Sequence, residues 1–192
     1  WKFYPHWRAG CDVADPRFSG LYGEVHDTHL PPTTGERDWD AQVPPSRAFL
    51  DLWARKILEV DEAYRPDLIW FDFGLHLIPE PERRAMVAGY YNRAAAQGRD
   101  VVFCYKNHDA VPGSGIVDIE LGGAPDLQYH EWITDTTVDA GEGWGYLENT
   151  AYRTPTSLIH YLIDNISKNG ALLLNVGPRP DGSIPEPAVE IL

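Results

Sequence analysis

Between Ser46 and Val176, short apolar runs alternate with stretches of helical periodicity, and this alternation limits the possible folds more than any other feature of the chain. Phe49, Leu52, Trp53, Ile57 and Val60 recur at helical spacing behind Ser46, which is placed to cap a helix after Pro44-Pro45. Tyr64-Arg65-Pro66 breaks that helix, and Asp67-Leu68-Ile69-Trp70-Phe71 reads as a short buried strand. A second helix is expected from about Pro81, with Met86, Val87, Tyr90, Tyr91, Ala94 and Ala95 on one face and Gly98 as its stop. Val101 to Tyr105 and Ile116 to Ile119 are the next strands, followed by another near Glu131-Trp132-Ile133. The third helix opens at Thr154-Pro155, carries Leu158, Ile159, Leu162, Ile163 and Ile166, and ends at Asn169-Gly170. His160, between those apolar positions, reads as a packing histidine. The strand Ala171 to Val176 follows at once. This order predicts an α/β fold with a parallel sheet covered by helices, either doubly wound or a (β/α)-barrel. No Gly-rich phosphate loop follows any strand, which weakens the nucleotide-binding option.

Composition removes several partner classes. Lys+Arg 16 against Asp+Glu 29 leaves a net charge of −13, which repels nucleic acid and anionic membrane surfaces. No apolar run approaches the roughly 20 residues a membrane helix needs. Two cysteines, Cys11 and Cys104, are too few for a disulfide scaffold. Seven Trp and ten Tyr fill cores, but such side chains also form the flat platforms on which sugar rings stack. His6, His26, His29, His76, His108 and His130 lack metal-ligand spacing, so no metal is expected.

The chemistry-bearing residues lie at strand ends. Asp72 follows Ile69-Trp70-Phe71 directly and is flanked by Phe73-Gly74. Glu120 occupies the same kind of position, after Ile116-Val117-Asp118-Ile119 and before Leu121-Gly122-Gly123. Barrel enzymes place their chemistry at these C-terminal strand ends, and two such carboxylates are what retaining glycoside hydrolysis requires. Asp118, two residues before Glu120, shares its side of the strand.

Tyr64-Arg65-Pro66-Asp67-Leu68-Ile69-Trp70-Phe71-Asp72 resembles the nucleophile strand of the α-L-fucosidases of glycoside hydrolase family 29. Trp132 followed by Trp144-Gly145-Tyr146 resembles that family's aromatic region. Ile166-Ser167-Lys168-Asn169-Gly170, Leu173-Leu174-Asn175-Val176-Gly177-Pro178 and Asp181-Gly182-Ser183-Ile184-Pro185 resemble its last helix, strand and turn. The resemblance runs from about Asp15 to Leu192.

It implies a partial (β/α) TIM-type barrel truncated on its N-terminal side. Residues 1–192 would then be the C-terminal part of a catalytic domain, with 1–45 a long aromatic and Pro-rich loop region and 46–192 the alternating helices and strands. The implied activity is that of a retaining exo-glycosidase that removes terminal α-L-fucose from glycans or fucosides without metal or cofactor, with little activity expected of the 192 residues alone. Asp72 carries over as nucleophile and Glu120 as acid/base. Some family members carry a Glu directly after the tryptophan matching Trp132; here that place is Ile133, so Glu131 is the fallback. Trp70, Lys106 and Trp144 carry over as substrate-binding residues. The alternatives are a non-catalytic glycan-binding barrel and a barrel hydrolase for another sugar. The resemblance is compatible with a periplasmic, secreted or lysosome-like compartment.

Overall fold

A computed structural model describes residues 15–21, 45–106, 109–141 and 143–192. The N-terminal aromatics Trp1, Phe3, Tyr4 and Trp7, most of the 1–45 region, and His6, His26, His29 and His108 lie outside the described residues. The chain divides into two compact units, residues 1–67 with 74–101, and residues 68–73 with 102–192.

In the first unit, α1 (Arg47–Tyr64) and α2 (Glu80–Ala96) pack on each other. Ser46 is extended and its hydroxyl accepts the Phe49 N–H at 3.2 Å, satisfying one of the donors a helix start leaves open. Arg65 ends α1 in the left-handed region, φ 48°, and Pro66 supplies no N–H to continue it. Phe49, Leu50 and Trp53 form the buried face of α1, and Tyr90 and Ala94 that of α2. The Tyr90 hydroxyl donates to the Pro66 carbonyl at 2.7 Å. Burial, with Asp61 nearby, pushes that phenol up to about 12. Between the helices Asp61 is buried and takes the Arg93 guanidinium at 2.5 Å, with Arg99 at 3.7 Å.

The second unit is a five-stranded parallel sheet whose spatial order is its chain order: β1 (Leu68–Phe71), β2 (Val102–Lys106), β3 (Ile116–Asp118), β4 (Trp132–Thr137) and β5 (Gly170–Asn175). Each strand adds beside the one before it, as in a (β/α) barrel, and the fold is a partial barrel of this type. Register fixes the two faces. Lys106 lies beside Asp118, Asp118 beside Ile133, and Asp135 beside Leu173. Because side chains alternate, Trp70, Lys106, Asp118 and Asp135 share one face, while Tyr105, Val117, Trp132 and Thr134 share the other.

The second face carries α3 (Pro155–Ser167) and α4 (Glu186–Ile191). Thr154 caps α3 by accepting the Ser157 N–H at 3.1 Å, with Pro155 as its first residue. Val138, Leu158 and Ala188 form a buried cluster flanked by Tyr152, Leu174, Val176, Ile184 and Ile191. The Tyr161 hydroxyl bonds Thr134 Oγ1 at 2.9 Å, and the Trp132 indole donates to the Lys168 carbonyl at 3.0 Å.

Two elements differ from expectation. β4 runs four residues beyond the expected Ile133, to Thr137, and α4 is a further helix. His160 is exposed, so it is not a packing residue; Leu158 and Asn165 are the buried positions of α3.

Candidate active site

The C-terminal edge of the sheet collects charge. Lys106 is the last residue of β2 and only 1% exposed, against the expectation for a lysine. Its Nζ donates to Asp135 at 2.8 Å and to Glu120 at 3.0 Å, and it pairs with Asp118 at 3.0 Å. Three carboxylates thus match the three N–H groups of one ammonium. The rings of Trp70 and Phe73 each lie 5.1 Å from the same nitrogen.

Glu120 reaches this point because the ladder continues past the end of β3. The Ile119 N–H donates to the Ile133 carbonyl and the Leu121 N–H to the Asp135 carbonyl, both at 2.9 Å. Glu120 therefore keeps the side of Asp118. Leu121 then takes φ 51°, which turns the chain away toward Gly122. Asp118 is anchored from β1 as well, since the Trp70 indole donates to its Oδ2 at 2.7 Å.

The electrostatics follow from burial. Asp118 is held above the ordinary aspartate range, first by burial and then by the neighbouring Asp135, against the pull of Lys106 and Trp70. Burial works against the Lys106 charge, yet its hydrogen bonds to Asp135, Glu120 and Asp118 hold the ammonium above the usual lysine range. Cys104, on the same face one turn of the pleat earlier, is a buried thiol that burial and the Asp118 charge push up to about 12, so it stays neutral.

The sequence-derived residues fall into four places. Trp70, Lys106 and Glu120 meet at one point, joined by Asp118. Asp72 is exposed, directly beyond β1 and between the two aromatic residues, Trp70 and Phe73, that face Lys106. Trp144 is exposed on a loop whose backbone is pinned: the Asn175 side chain donates to its carbonyl at 3.0 Å. Glu131 stands apart. It precedes the first residue of β4, the opposite end of that strand from Asp135, and is exposed. There it lines a cleft of about 220 Å³ together with Tyr105, Val117, His130 and Trp132.

Asp135 was not among the sequence candidates. The signal that would have found it is the residue count: it sits two positions after Ile133 and so projects from the same face.

A model of the alpha-L-fucosidase family matches residues 15–192. The chain belongs to the alpha-L-fucosidase family. Tissue alpha-L-fucosidase of Rattus norvegicus is 30% identical over 141 residues, which are 67% of this chain and 29% of the relative. Alpha-L-fucosidase of Dictyostelium discoideum is 23% identical over 178 residues, 90% of this chain and 38% of the relative. Among solved structures, the Thermotoga maritima alpha-fucosidase in complex with fucose matches at 28% identity and TM-score 0.60, over 76% of this chain and 32% of that one. Alpha-L-fucosidase isoenzyme 1 from Paenibacillus thiaminolyticus shares the fold, with TM-score 0.63 at 22% identity. The chain spans between about a quarter and two fifths of the length of these relatives.

Proposed function

We propose that the protein carrying this chain is a retaining exo-α-L-fucosidase acting on fucosylated glycans or fucosides, with Asp72 as nucleophile and Glu120 as acid/base. The observation that carries the reading is the family match over residues 15–192. It is supported by two carboxylates that follow β1 and β3 at the C-terminal edge of one parallel sheet. In the first displacement, the Asp72 carboxylate attacks the anomeric carbon while Glu120 gives its proton to the departing glycosidic oxygen. The bond to the aglycone breaks and a glycosyl ester of Asp72 forms. In the second, Glu120, now a carboxylate, takes a proton from water as the water oxygen attacks the same carbon. The ester bond breaks, Asp72 leaves as a carboxylate, and two inversions restore the starting configuration.

Exposure suits Asp72 to attack, since its carboxylate is reachable by a substrate. The partial exposure of Glu120 suits a group that must exchange a proton with water. Trp144 offers an exposed aromatic surface to the methyl group of a 6-deoxy sugar, a contact worth about 0.8 kcal/mol per buried carbon.

The test uses the full-length protein and an aryl α-L-fucoside. Asp72→Ala should lower kcat by at least about 10³-fold. Azide should restore turnover of Glu120→Ala and yield the fucosyl azide of retained configuration, while Glu131→Ala should behave as the parent. Parental rates in Asp72→Ala would overturn the reading.

A further inference from the structure

One ammonium here meets three carboxylates, so the cluster carries more negative than positive charge if all are ionised. The three are not equivalent. The side chains of Asp118 and Asp135 are 0% and 7% exposed, and that of Glu120 is 25% exposed. Asp118 Oδ2 receives both Lys106 and the Trp70 indole, whereas its Oδ1 is buried with no hydrogen-bond partner. A buried carboxylate oxygen without a donor is a costly place for charge and a natural one for a proton. Of the two buried carboxyl groups, Asp135 is the one that faces Lys106 with both oxygens, each at 2.8 Å.

We infer that Asp135 is a positioning residue that sets how much of the Lys106 charge reaches Glu120. This rests on Glu120 being the acid/base. An acid/base must hold a proton in one half of the cycle and release it in the other. An uncompensated ammonium 3.0 Å away would hold Glu120 as a carboxylate and remove its acid role. Asp135, on the same nitrogen, cancels most of that field while its two hydrogen bonds keep Nζ directed at Glu120. Among the described residues, the titratable groups that the strands bring to this face are Asp72 beyond β1, Cys104 and Lys106 on β2, Asp118 and Glu120 on and after β3, and Asp135 on β4. β5 contributes the uncharged Asn175.

Glu120 is followed directly by its side-chain carboxyl ¹³C shift across pH in the labelled full chain, assigned with Glu120→Gln. Asp135→Asn should move the Glu120 midpoint down by about one pH unit, because a negative charge beside it is lost. Lys106→Gln should move it up. Asp118→Asn, at the carboxyl that burial holds above the ordinary aspartate range, should move it less than Asp135→Asn does. The double variant Lys106→Met/Asp135→Leu removes a compensated pair and should also leave it in place; hydrophobic replacement of a buried ion pair is compatible with folding. An unmoved midpoint in Asp135→Asn, or a displacement of a full unit in the double variant, overturns the inference. In the full-length protein, Asp135→Asn should shift the basic limb of kcat/KM to lower pH by the same amount with KM nearly unchanged. Azide rescue of Glu120→Ala separates the two readings. Rescue without the midpoint shift leaves Glu120 as acid/base and removes the role of Asp135. The shift without rescue keeps the electrostatic coupling and removes the catalytic assignment.

Discussion

The two compact units each bury a charged cluster, and the clusters are built to opposite rules. In the helical unit, one buried carboxylate, Asp61, lies between two guanidiniums, Arg93 and Arg99, that are themselves partly exposed. The surplus charge is positive, delocalised and able to reach water. In the sheet unit, one buried ammonium faces three carboxylates, and two of those are as buried as it is. The surplus there is of carboxyl groups, and it is confined. The first arrangement locks α1 onto α2. The second stores unresolved charge at a strand edge, where perturbed protonation is the usual mark of chemistry.

That contrast breaks most visibly at Lys106. Lys106→Met strands Asp118 and Asp135 without their cation and should cost about 3–5 kcal/mol at pH 7, read from chemical denaturation. The loss should shrink toward acid pH, since Asp118 takes up its proton above the ordinary aspartate range. Asp61→Asn should cost less, about 1–3 kcal/mol, because the freed guanidiniums reach solvent. Its cost should vary little between pH 5 and pH 7. Equal pH dependence in the two variants would erase the distinction between the clusters.

Asp118→Asn sharpens it further. The folded protein binds the Asp118 proton more tightly than the unfolded chain does, whose aspartate titrates near 3.8. Its contribution to stability is therefore complete below that value and is lost as pH rises through the raised one. Asparagine does not titrate, so the variant should gain on the parent in melting temperature as pH rises from 4 to 7. A variant that loses ground over that range would show that Asp118 is ionised in the folded state. The smallest effect belongs to the helical unit: Ser46→Ala should cost about 1 kcal/mol, independent of pH, through loss of the α1 cap.

The helical unit was also the more legible of the two. Ser46 and Arg65-Pro66 act through local geometry, and a cap or a break is visible in a few neighbouring letters; in the sheet unit only Thr154-Pro155, the start of α3, reads as directly. β1, β2 and β5 were legible because strands of a parallel sheet read as apolar runs, although in this chain only β2 is mostly buried. β4 was legible only at its apolar start. Its continuation, Thr134-Asp135-Thr136-Thr137, is buried yet polar, because one side meets Lys106 and the other meets Tyr161. A pattern reader expects water beside such residues. The partners that make them a strand lie 27 and 29 positions away. The convergence of Lys106 with Glu120 was hidden for the same reason: a lysine at a strand end looks like a solvated one until the carboxylates of two other strands are brought to it. α4 went unread because six residues containing a proline carry too little periodicity.

Gly177 has a consequence for engineering. A Cβ built on it would stand 2.6 Å from the Gly145 carbonyl oxygen and 2.8 Å from the Tyr146 nitrogen, both backbone atoms that have no rotamer through which to yield. The loop bearing Trp144 and Tyr146 is thus seated on a bare spot of main chain, like a lid resting on a hinge pin. Any larger residue at 177 must displace that stretch of main chain or move away from it. A library that varies this one position would therefore probe the placement of the aromatic loop from a site whose nearest neighbours are backbone.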